Sequence, residues 1–207
     1  MFEDREEAAV KLTKKLKKIV RNKDVAVIAL VRGGVVLGKI IADYFNSSLD
    51  IMVIKKIGAP DNSELAIGAV GPKNTVYWNN RLCNILNISE EEKLKLKERK
   101  EVERIQQEVI LKHSRVDFKE KTVILVDDGI ATGATVITAA RFLRKEKVEK
   151  VILAVPVLSK DTLRNIKKYF DTVVYLLAVG DFYAVGEFYK NFPQVENEQV
   201  LKILGKI

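Results

Sequence analysis

The chain has 207 residues, of which 47% are hydrophobic, and a formal net charge of +8 from 36 basic and 28 acidic side chains. That size and apolar content predict a single domain with an ample core, numbered 1–207. No apolar run approaches the ~18 residues of a membrane span and the charged start is not a signal peptide, so we expect no membrane partner. One cysteine, Cys83, excludes an internal disulfide and favours a reducing, cytoplasmic location.

Positive charge of this size suits nucleic acid, a polyanionic small substrate or simply a solvated lysine-rich surface. The lysines are spread along the chain, without aromatic residues between them and without an RNA-binding signature. Nucleic acid is therefore the least favoured partner of the three.

Helical and extended patterns alternate along most of the chain. The first half predicts a helix over 4–20, a strand over 25–31, a helix over 35–45, a strand over 51–57, a short strand over 75–78 and a charged helix over 89–113. The second half predicts strands over 123–126, 151–158 and 172–179, helices over 136–144 and 159–170, and a last helix over 196–207. Such alternation is typical of an α/β protein with a mostly parallel sheet flanked by helices. His113, the only histidine, is expected on the surface at the end of the charged helix.

The segment 58–74 interrupts this alternation. It is rich in glycine, proline, asparagine and aspartate around a short apolar piece at 65–70. We predict a long loop with at most one short strand, and loops of this length tend to be functional. A mobile lid over a ligand site is the expected role.

The stretch 121–135 carries the clearest chemical pattern in the chain. A buried strand over 123–126 leads into two carboxylates and a turn of glycines and threonines: Asp127, Asp128, Gly129, Thr132, Gly133 and Thr135. A helix follows, and the first N–H groups of a helix lack internal partners, so this turn is suited to binding an anion. Each feature alone is common in the turn between a strand and a helix. The combination of five residue types at this spacing (Asp, Asp, Thr, Gly, Thr) arises by chance only once in ~10⁶ positions.

This motif resembles the phosphoribosyl pyrophosphate (PRPP) motif of type I phosphoribosyltransferases. From about residue 2 to residue 200 the chain is similar to a poorly characterised branch of that family. The hallmarks of the branch are Phe-Glu-Asp-Arg-Glu-Glu-Ala at the start, Val-Arg-Gly-Gly near residue 32 and Ala-Val-Gly-Glu-Phe-Tyr near the end. The resemblance implies the type I fold, with a core of about 20–57 and 120–180 and a small lid or hood of about 58–118 and 181–207.

The resemblance also implies a role for each group of residues. The turn would hold the 5′-phosphate of PRPP through Gly129, Ile130, Ala131, Thr132, Gly133, Ala134 and Thr135. Asp127 and Asp128 would bind the ribose hydroxyls and, mostly through PRPP and water, Mg²⁺. Basic strand ends would hold the pyrophosphate through Arg32, Gly33, Gly34, Lys55 and Lys56, in a loop that often has a cis peptide in similar enzymes. Lys56 is taken as the catalytic lysine beside the two aspartates, although either lysine could contact pyrophosphate.

An aromatic stretch after the last strand is the candidate acceptor site, through Phe182, Tyr183 and Val185. A hydrophobic cap on the sheet explains these residues equally well. The implied reaction transfers the 5-phosphoribosyl group to a nitrogen acceptor, a nucleobase in the first instance, and releases pyrophosphate. Hypoxanthine–guanine enzymes carry an acidic residue where this chain has Ala131, so we expect those bases to be poor acceptors.

Two further expectations follow from this reading. A homodimer is the expected assembly of the enzyme. The alternative function is a regulator of the same fold that senses PRPP or a nucleotide and binds nucleic acid.

Overall fold

The structure is a computed structural model that describes residues 1–21, 24–112 and 117–207, so His113 lies outside the described residues. Its helices are α1 (Arg5–Leu16), α2 (Gly34–Phe45), α3 (Asn80–Ile85), α4 (Glu90–Ile110), α5 (Ala134–Lys145), α6 (Lys160–Ile166) and α7 (Asn197–Ile203). Its strands are β1 (Val25–Leu30), β2 (Ser48–Met52), β3 (Lys55–Ala59), β4 (Asn62–Gly71), β5 (Thr75–Trp78), β6 (Thr122–Val126), β7 (Lys150–Ser159) and β8 (Thr172–Val179). None of these helices is long and apolar enough to cross a membrane.

Five strands form the core sheet in the order β2-β1-β6-β7-β8, and every neighbouring pair is parallel. β1 and β6 are buried along their whole length, which explains their unbroken apolar sequences. In their shared register Val25 lies opposite Thr122 and Ala29 opposite Val126. The two strands therefore end side by side, and the segments that follow them must meet at one edge of the sheet. The predicted α/β fold is confirmed.

The predicted single strand over 51–57 is two strands that belong to two sheets. β2 ends at Met52 in the core sheet, and β3 begins at Lys55 in a separate antiparallel sheet with the order β3-β4-β5. The apolar residues between them, Val53 and Ile54, are buried at the junction. Residues 51–54 are all apolar, so the sequence pattern did not reveal that the chain passes from one sheet to the other there.

The loop predicted over 58–74 is also wrong. Most of it is the ten-residue strand β4, the centre of this second sheet, which we call the hood sheet (β3, β4 and β5). Ala66 and Ala69 join the main hydrophobic core, while Ile67 and Val70 pack with Cys83 beneath α3. Residues 66–71 of β4 are thus buried, while Asn62 and Ser63 at its start are exposed.

The hood sheet rests on α5, the helix that follows the acidic pair. The Thr138 hydroxyl, in the middle of α5, donates a hydrogen bond to the Ala69 carbonyl of β4 at 3.3 Å. Helix α4 packs on β3 and β4 and begins with the predicted capping box, in which Ser89 and Glu92 satisfy each other's backbone N–H groups. The hood is therefore in direct contact with the element that forms the turn 129–135.

The first residues of the chain pair with a segment that follows the core sheet. The backbone N–H of Phe2 donates to the Phe188 carbonyl at 2.7 Å, and Lys190 N–H donates to the Phe2 carbonyl at 2.8 Å. Asn191 N–H continues the pattern to Glu3 at 2.9 Å. Asp4 then caps α1 by accepting from Glu7 N–H, as the sequence predicts. We call this pairing of 2–3 with 188–191 the terminal clasp.

Candidate active site

The loop after β1 touches the acidic pair after β6. The Val31–Arg32 peptide is cis, and Gly33 follows with φ of −58°. A Cβ at Gly33 would lie 1.8 Å from Oδ2 of Asp128, and a Cβ at Gly34 would lie 2.8 Å from the Val126 carbonyl. These glycines are needed because the two segments approach so closely, and the backbone conformation of Gly33 is open to any residue.

Asp127 and Asp128 lie at the carboxyl end of β6 with their side chains largely surrounded by protein and open on one side. Asp128 N–H donates to Oδ1 of Asp127 at 2.9 Å. Burial raises the pKa of Asp127 well above its usual range, and the neighbouring charge of Asp128 raises it further. Burial also raises the pKa of Asp128, while the guanidinium of Arg5 works in the opposite direction. Two adjacent carboxylates that resist ionisation together are suited to binding hydroxyl groups and a cation.

The turn 129–135 is anchored from below and open above. Ile130 is buried and its N–H donates to the Val157 carbonyl at 3.0 Å, while Thr162 donates its hydroxyl to the Ala131 carbonyl. Gly133 has φ of +82°, a conformation that favours glycine, and it leads into α5 without a side-chain cap. Ala131 and Thr132 are exposed. The uncapped start of α5 therefore offers backbone N–H groups to an anion at an open turn.

Only one of the two candidate lysines lies with the loop after β1. Lys55 lines a cavity of about 370 Å³ together with Arg32 and the end of α4 at Gln107. Lys56 is exposed on the opposite face of β3, as the alternation of strand side chains requires. Burial lowers the pKa of Lys55, opposed by the charge of Glu103. The geometry thus favours Lys55 over Lys56 beside Arg32.

The aromatic stretch after β8 divides into two environments. Phe182 stacks on Phe188 with ring centroids 5.2 Å apart and belongs to a hydrophobic cluster at the sheet end. Val185 packs against Gly129, where a Cβ would lie 2.4 Å from Cγ1 of the valine. Tyr183 is 83% exposed. Phe182 thus acts as part of a cap, and Tyr183 is the aromatic side chain left free to meet a ligand.

Three functional candidates were missed by sequence reasoning: Arg5, Tyr189 and Phe192. The Arg5 side chain is 8% exposed and donates from Nε to Asp128 Oδ2 at 2.9 Å. A usable signal existed, because Arg5 shares a helical face with the apolar residues Ala8 and Leu12, and a buried arginine needs an anionic partner. That the partner is Asp128 could not be read from a separation of 123 residues.

The acidic pair fits a cation that is shared with a ligand. No group of three or more histidine, cysteine, aspartate or glutamate residues that could hold a metal ion occurs in 1–21, 24–112 and 117–207. Mg²⁺ commonly binds through one or two carboxylates, with water and substrate phosphates completing its shell. Asp127 and the free oxygen of Asp128 match that donor set.

A parallel core sheet that ends in a cis-peptide loop, an acidic pair and a phosphate-type turn, beneath a small hood, defines the fold of type I phosphoribosyltransferases. The sequence profile of the phosphoribosyl transferase domain matches residues 1–189. The chain therefore belongs to the phosphoribosyl transferase family, and the predicted family is confirmed.

Individual relatives agree with this assignment. A Mycobacterium tuberculosis protein that is provisionally named a phosphoribosyl transferase is 32% identical over 208 residues, which cover 100% of this chain and 47% of that protein. The chain thus spans about half the length of the curated relatives it matches. The crystal structure of the protein TT1426 from Thermus thermophilus superposes with a TM-score of 0.82 at 31% identity, covering 98% of this chain and 97% of that one. A purine phosphoribosyltransferase from Pyrococcus horikoshii shares the fold at 16% identity and a TM-score of 0.50, covering 93% and 92% of the two chains.

Proposed function

We propose that the chain transfers the 5-phosphoribosyl group of PRPP to a nitrogen acceptor of the nucleobase class, with Mg²⁺, and releases pyrophosphate. The observation that carries the proposal is the contact between the loop after β1 and the acidic pair, where Gly33 leaves no room for a methyl group beside Asp128. Basic and acidic groups at adjoining strand ends suit a ligand that has both phosphates and a diol.

Each part of the site has a task in this reaction. The open start of α5 and the hydroxyls of Thr132 and Thr135 would hold the 5′-phosphate, and Asp127 and Asp128 would accept hydrogen bonds from the ribose hydroxyls. Backbone N–H groups at Gly33 and Gly34, with Arg32 and Lys55, would hold the pyrophosphate. When bound, Mg²⁺ supplies positive charge to the leaving group. Positive charge that develops on the sugar would be stabilised by the carboxylates.

The direct test is to incubate the protein with PRPP, Mg²⁺ and each free base in turn, and to measure nucleotide and pyrophosphate. We expect at least one base to support turnover in the wild-type protein. Turnover should fall by about 100-fold in Asp127→Asn and be retained in Arg164→Ala, whose exposed side chain pairs with Asp161 on α6. A protein that binds PRPP but acts on no base would contradict the transfer reaction.

Hypoxanthine and guanine should be poor acceptors in the same assay. Ala131 cannot transfer a proton, and Ala154, Val155 and Val157 in β7 are buried and apolar, although Lys160 lies just beyond the strand. A missing hydrogen-bond partner can cost a substrate several orders of magnitude in specificity. Efficient formation of inosine or guanosine monophosphate would refute this expectation.

We also propose that the enzyme is a homodimer formed through α4. Four apolar side chains are exposed along one side of this helix: Leu94, Val102, Ile105 and Val109. Two copies of α4 packed antiparallel about Ile105 would bury these four side chains against each other. A cytoplasmic location remains a prediction, supported by the free, buried thiol of Cys83.

A nucleic-acid-binding regulator is the second candidate, and one feature favours it. A basic cavity of about 400 Å³ lies between α5 and the hood sheet, lined by Arg141, Arg144, Lys145 and Lys168 beside Tyr169. Asp171 pairs with Arg144 at 2.7 Å, so part of this charge is already balanced. A gel shift with single- and double-stranded nucleic acid at physiological salt separates the two functions. Binding that responds to PRPP, without turnover of any base, would favour the regulator.

A further inference from the structure

Arg5 is buried at a position where an unpaired charge would destabilise the fold. It is the first residue of α1 and lies on the buried face of that helix with Ala8, Ala9 and Leu12. Removing a guanidinium from water destabilises the fold unless good partners replace the lost solvent. An apolar residue would suit the packing of α1 equally well, so the arginine must be understood through its contacts.

The contacts of Arg5 all come from the candidate active site and the tail. Nε donates to Asp128 Oδ2 at 2.9 Å, and Nη1 donates to the Pro193 carbonyl at 2.7 Å. The guanidinium carbon lies 3.7 Å from the ring centroid of Phe192, which provides a flat surface for it. No hydrogen bond within 1–21, 24–112 and 117–207 uses Nη2. The Arg5 guanidinium is therefore held through Nε and Nη1, and its Nη2 remains available to a ligand.

Asp128 is held by the backbone as well as by its carboxylate. Tyr189 donates its hydroxyl to the Asp128 carbonyl at 2.6 Å. The Tyr189 ring is itself fixed between Phe2 and Phe192, with centroids 5.3 and 4.8 Å away. The terminal clasp therefore brings Arg5 from the start of the chain and Tyr189 from its tail onto one aspartate.

A cavity adjoins the same guanidinium. It measures about 410 Å³ and is lined by Arg5, Arg32, Gly33, Phe192, Gln194 and Val195. Arg32 forms a partly exposed ion pair with Glu196 at 3.2 Å, so it can exchange that partner for a ligand. Arg5, in contrast, is buried and cannot swing away. The cavity thus has one fixed and one adjustable guanidinium, next to the loop that would hold the pyrophosphate.

We propose that Arg5 is a positioning residue of the proposed transferase: it fixes Asp128 through Oδ2, leaves Oδ1 for a ribose hydroxyl, and presents Nη2 to a pyrophosphate oxygen of PRPP. This inference rests on the proposed function. Arg5 also balances one of two adjacent carboxylates. The positive charge of Arg5 thus reduces the repulsion that a polyphosphate meets as it approaches the acidic pair.

The test compares Arg5→Ala and Arg5→Lys with the wild-type protein and with Arg164→Ala. Arg164 forms an exposed ion pair with Asp161 at 3.2 Å on α6 and serves as the matched control. Melting temperature and the calorimetric affinity for PRPP with Mg²⁺ are measured for each, which requires no knowledge of the acceptor. Ethylguanidinium is then added to Arg5→Ala to replace the missing group.

We expect Arg5→Ala to bind PRPP about 30-fold more weakly, since removing one partner of a buried charged pair is costly. Arg5→Lys should regain much of the melting temperature but bind about tenfold more weakly, because an ammonium cannot replace the guanidinium fork. Ethylguanidinium should restore part of the affinity of Arg5→Ala, an effect that a purely structural arginine would not give. Arg164→Ala should match the wild-type protein.

Two results overturn the inference in different ways. Folded Arg5→Lys that binds PRPP within twofold of the wild-type protein shows that Arg5 supports packing alone. Wild-type protein that binds no PRPP overturns the proposed function and this inference together. If Arg5→Ala does not fold, Arg5→Lys carries the comparison alone.

Discussion

A methyl group on residue 33 would lie 1.8 Å from Oδ2 of Asp128, closer than any two non-bonded atoms can approach. Gly33→Ala should therefore displace either the loop after β1 or the Asp128 carboxylate. We expect PRPP affinity to fall by about 100-fold, because a displacement of about 1 Å at such a site misplaces several donors at once. Calorimetry with PRPP and Mg²⁺ is the measurement.

The control for Gly33→Ala is Gly180→Ala, since a Cβ at Gly180 would meet no atom within 4 Å. Neither glycine has a positive φ, so backbone strain is not a factor in either substitution. Equal PRPP affinities in the two variants would mean that the close approach to Asp128 has no bearing on binding.

The two aspartates should respond differently to substitution. The raised pKa of Asp127 means that its ionised form destabilises the fold at neutral pH. Asp127→Asn should thus melt higher than the wild-type protein at pH 7, and this difference should shrink as the pH falls toward the unfolded carboxyl pKa of about 4. Turnover should fall by about 100-fold, since an amide cannot balance charge on the sugar. Melting curves measured without metal test the first expectation, and steady-state kinetics with one base at a time test the second.

Asp128→Asn is the variant to compare with Asp127→Asn. Burial raises the pKa of Asp128 as well, but the contact with Arg5 opposes that effect, so we expect Asp128→Asn to gain less in melting temperature than Asp127→Asn and to lose turnover. An Asp128→Asn variant that gains as much in melting temperature as Asp127→Asn would show that the Arg5 contact contributes nothing to folding.

At the scale of single residues, contiguous patterns were predictable and distant pairs were not. Asp127, Asp128 and the turn after them form one unbroken motif, so their shared location followed from sequence. The choice between Lys55 and Lys56 depends on the phase of β3, which the mistaken strand over 51–57 concealed. Arg5 reaches Asp128 only through the fold.

At the scale of elements, the glycines of 58–74 explain why a loop was predicted there and why the structure has a strand. The glycines of this segment were interpreted as signs of a loop. Gly68 instead lies within β4, where only a glycine fits because a Cβ would come within 2.8 Å of the Trp78 ring. Gly71 similarly makes room for Ile54. These glycines serve close packing in a sheet, and single-sequence patterns do not distinguish that use from a turn.

Hydrogen exchange of the ligand-free protein should reveal β4 as an ordered strand. Ala66 and residues 68–70 pair with the neighbouring strands of the hood sheet and residues 66–70 are buried, so this segment should exchange slowly without any ligand. The segment 180–184, where Gly180 and Tyr183 are exposed, provides the comparison within the same chain. Equally fast exchange in the two segments would restore the lid that the structure has replaced.

At the scale of the whole molecule, the exposed face of α4 predicts self-association. Val102→Glu with Val109→Glu should convert a dimer to a monomer, because it places charge at the centre of the proposed contact. Sedimentation velocity at several concentrations measures the change. Val10→Glu, which alters a comparably exposed valine on α1, should leave the assembly unchanged. A wild-type protein that sediments as a monomer throughout would contradict the homodimer.

The order of folding events is constrained by the terminal clasp. Phe2 and Arg5 are synthesised before their partners at 188–193, and 188 residues separate Arg5 from Pro193. The core sheet can pair earlier, but Asp128 has neither its arginine nor its tyrosine fixed until the tail arrives. Such long-range contacts form late because the loop between them must close first. A growing chain therefore carries Asp128 without these contacts from the synthesis of residue 128 until residues 189–193 are made. On the proposed function, we expect a chain that stops before residue 188 to bind PRPP more weakly than the chain described above.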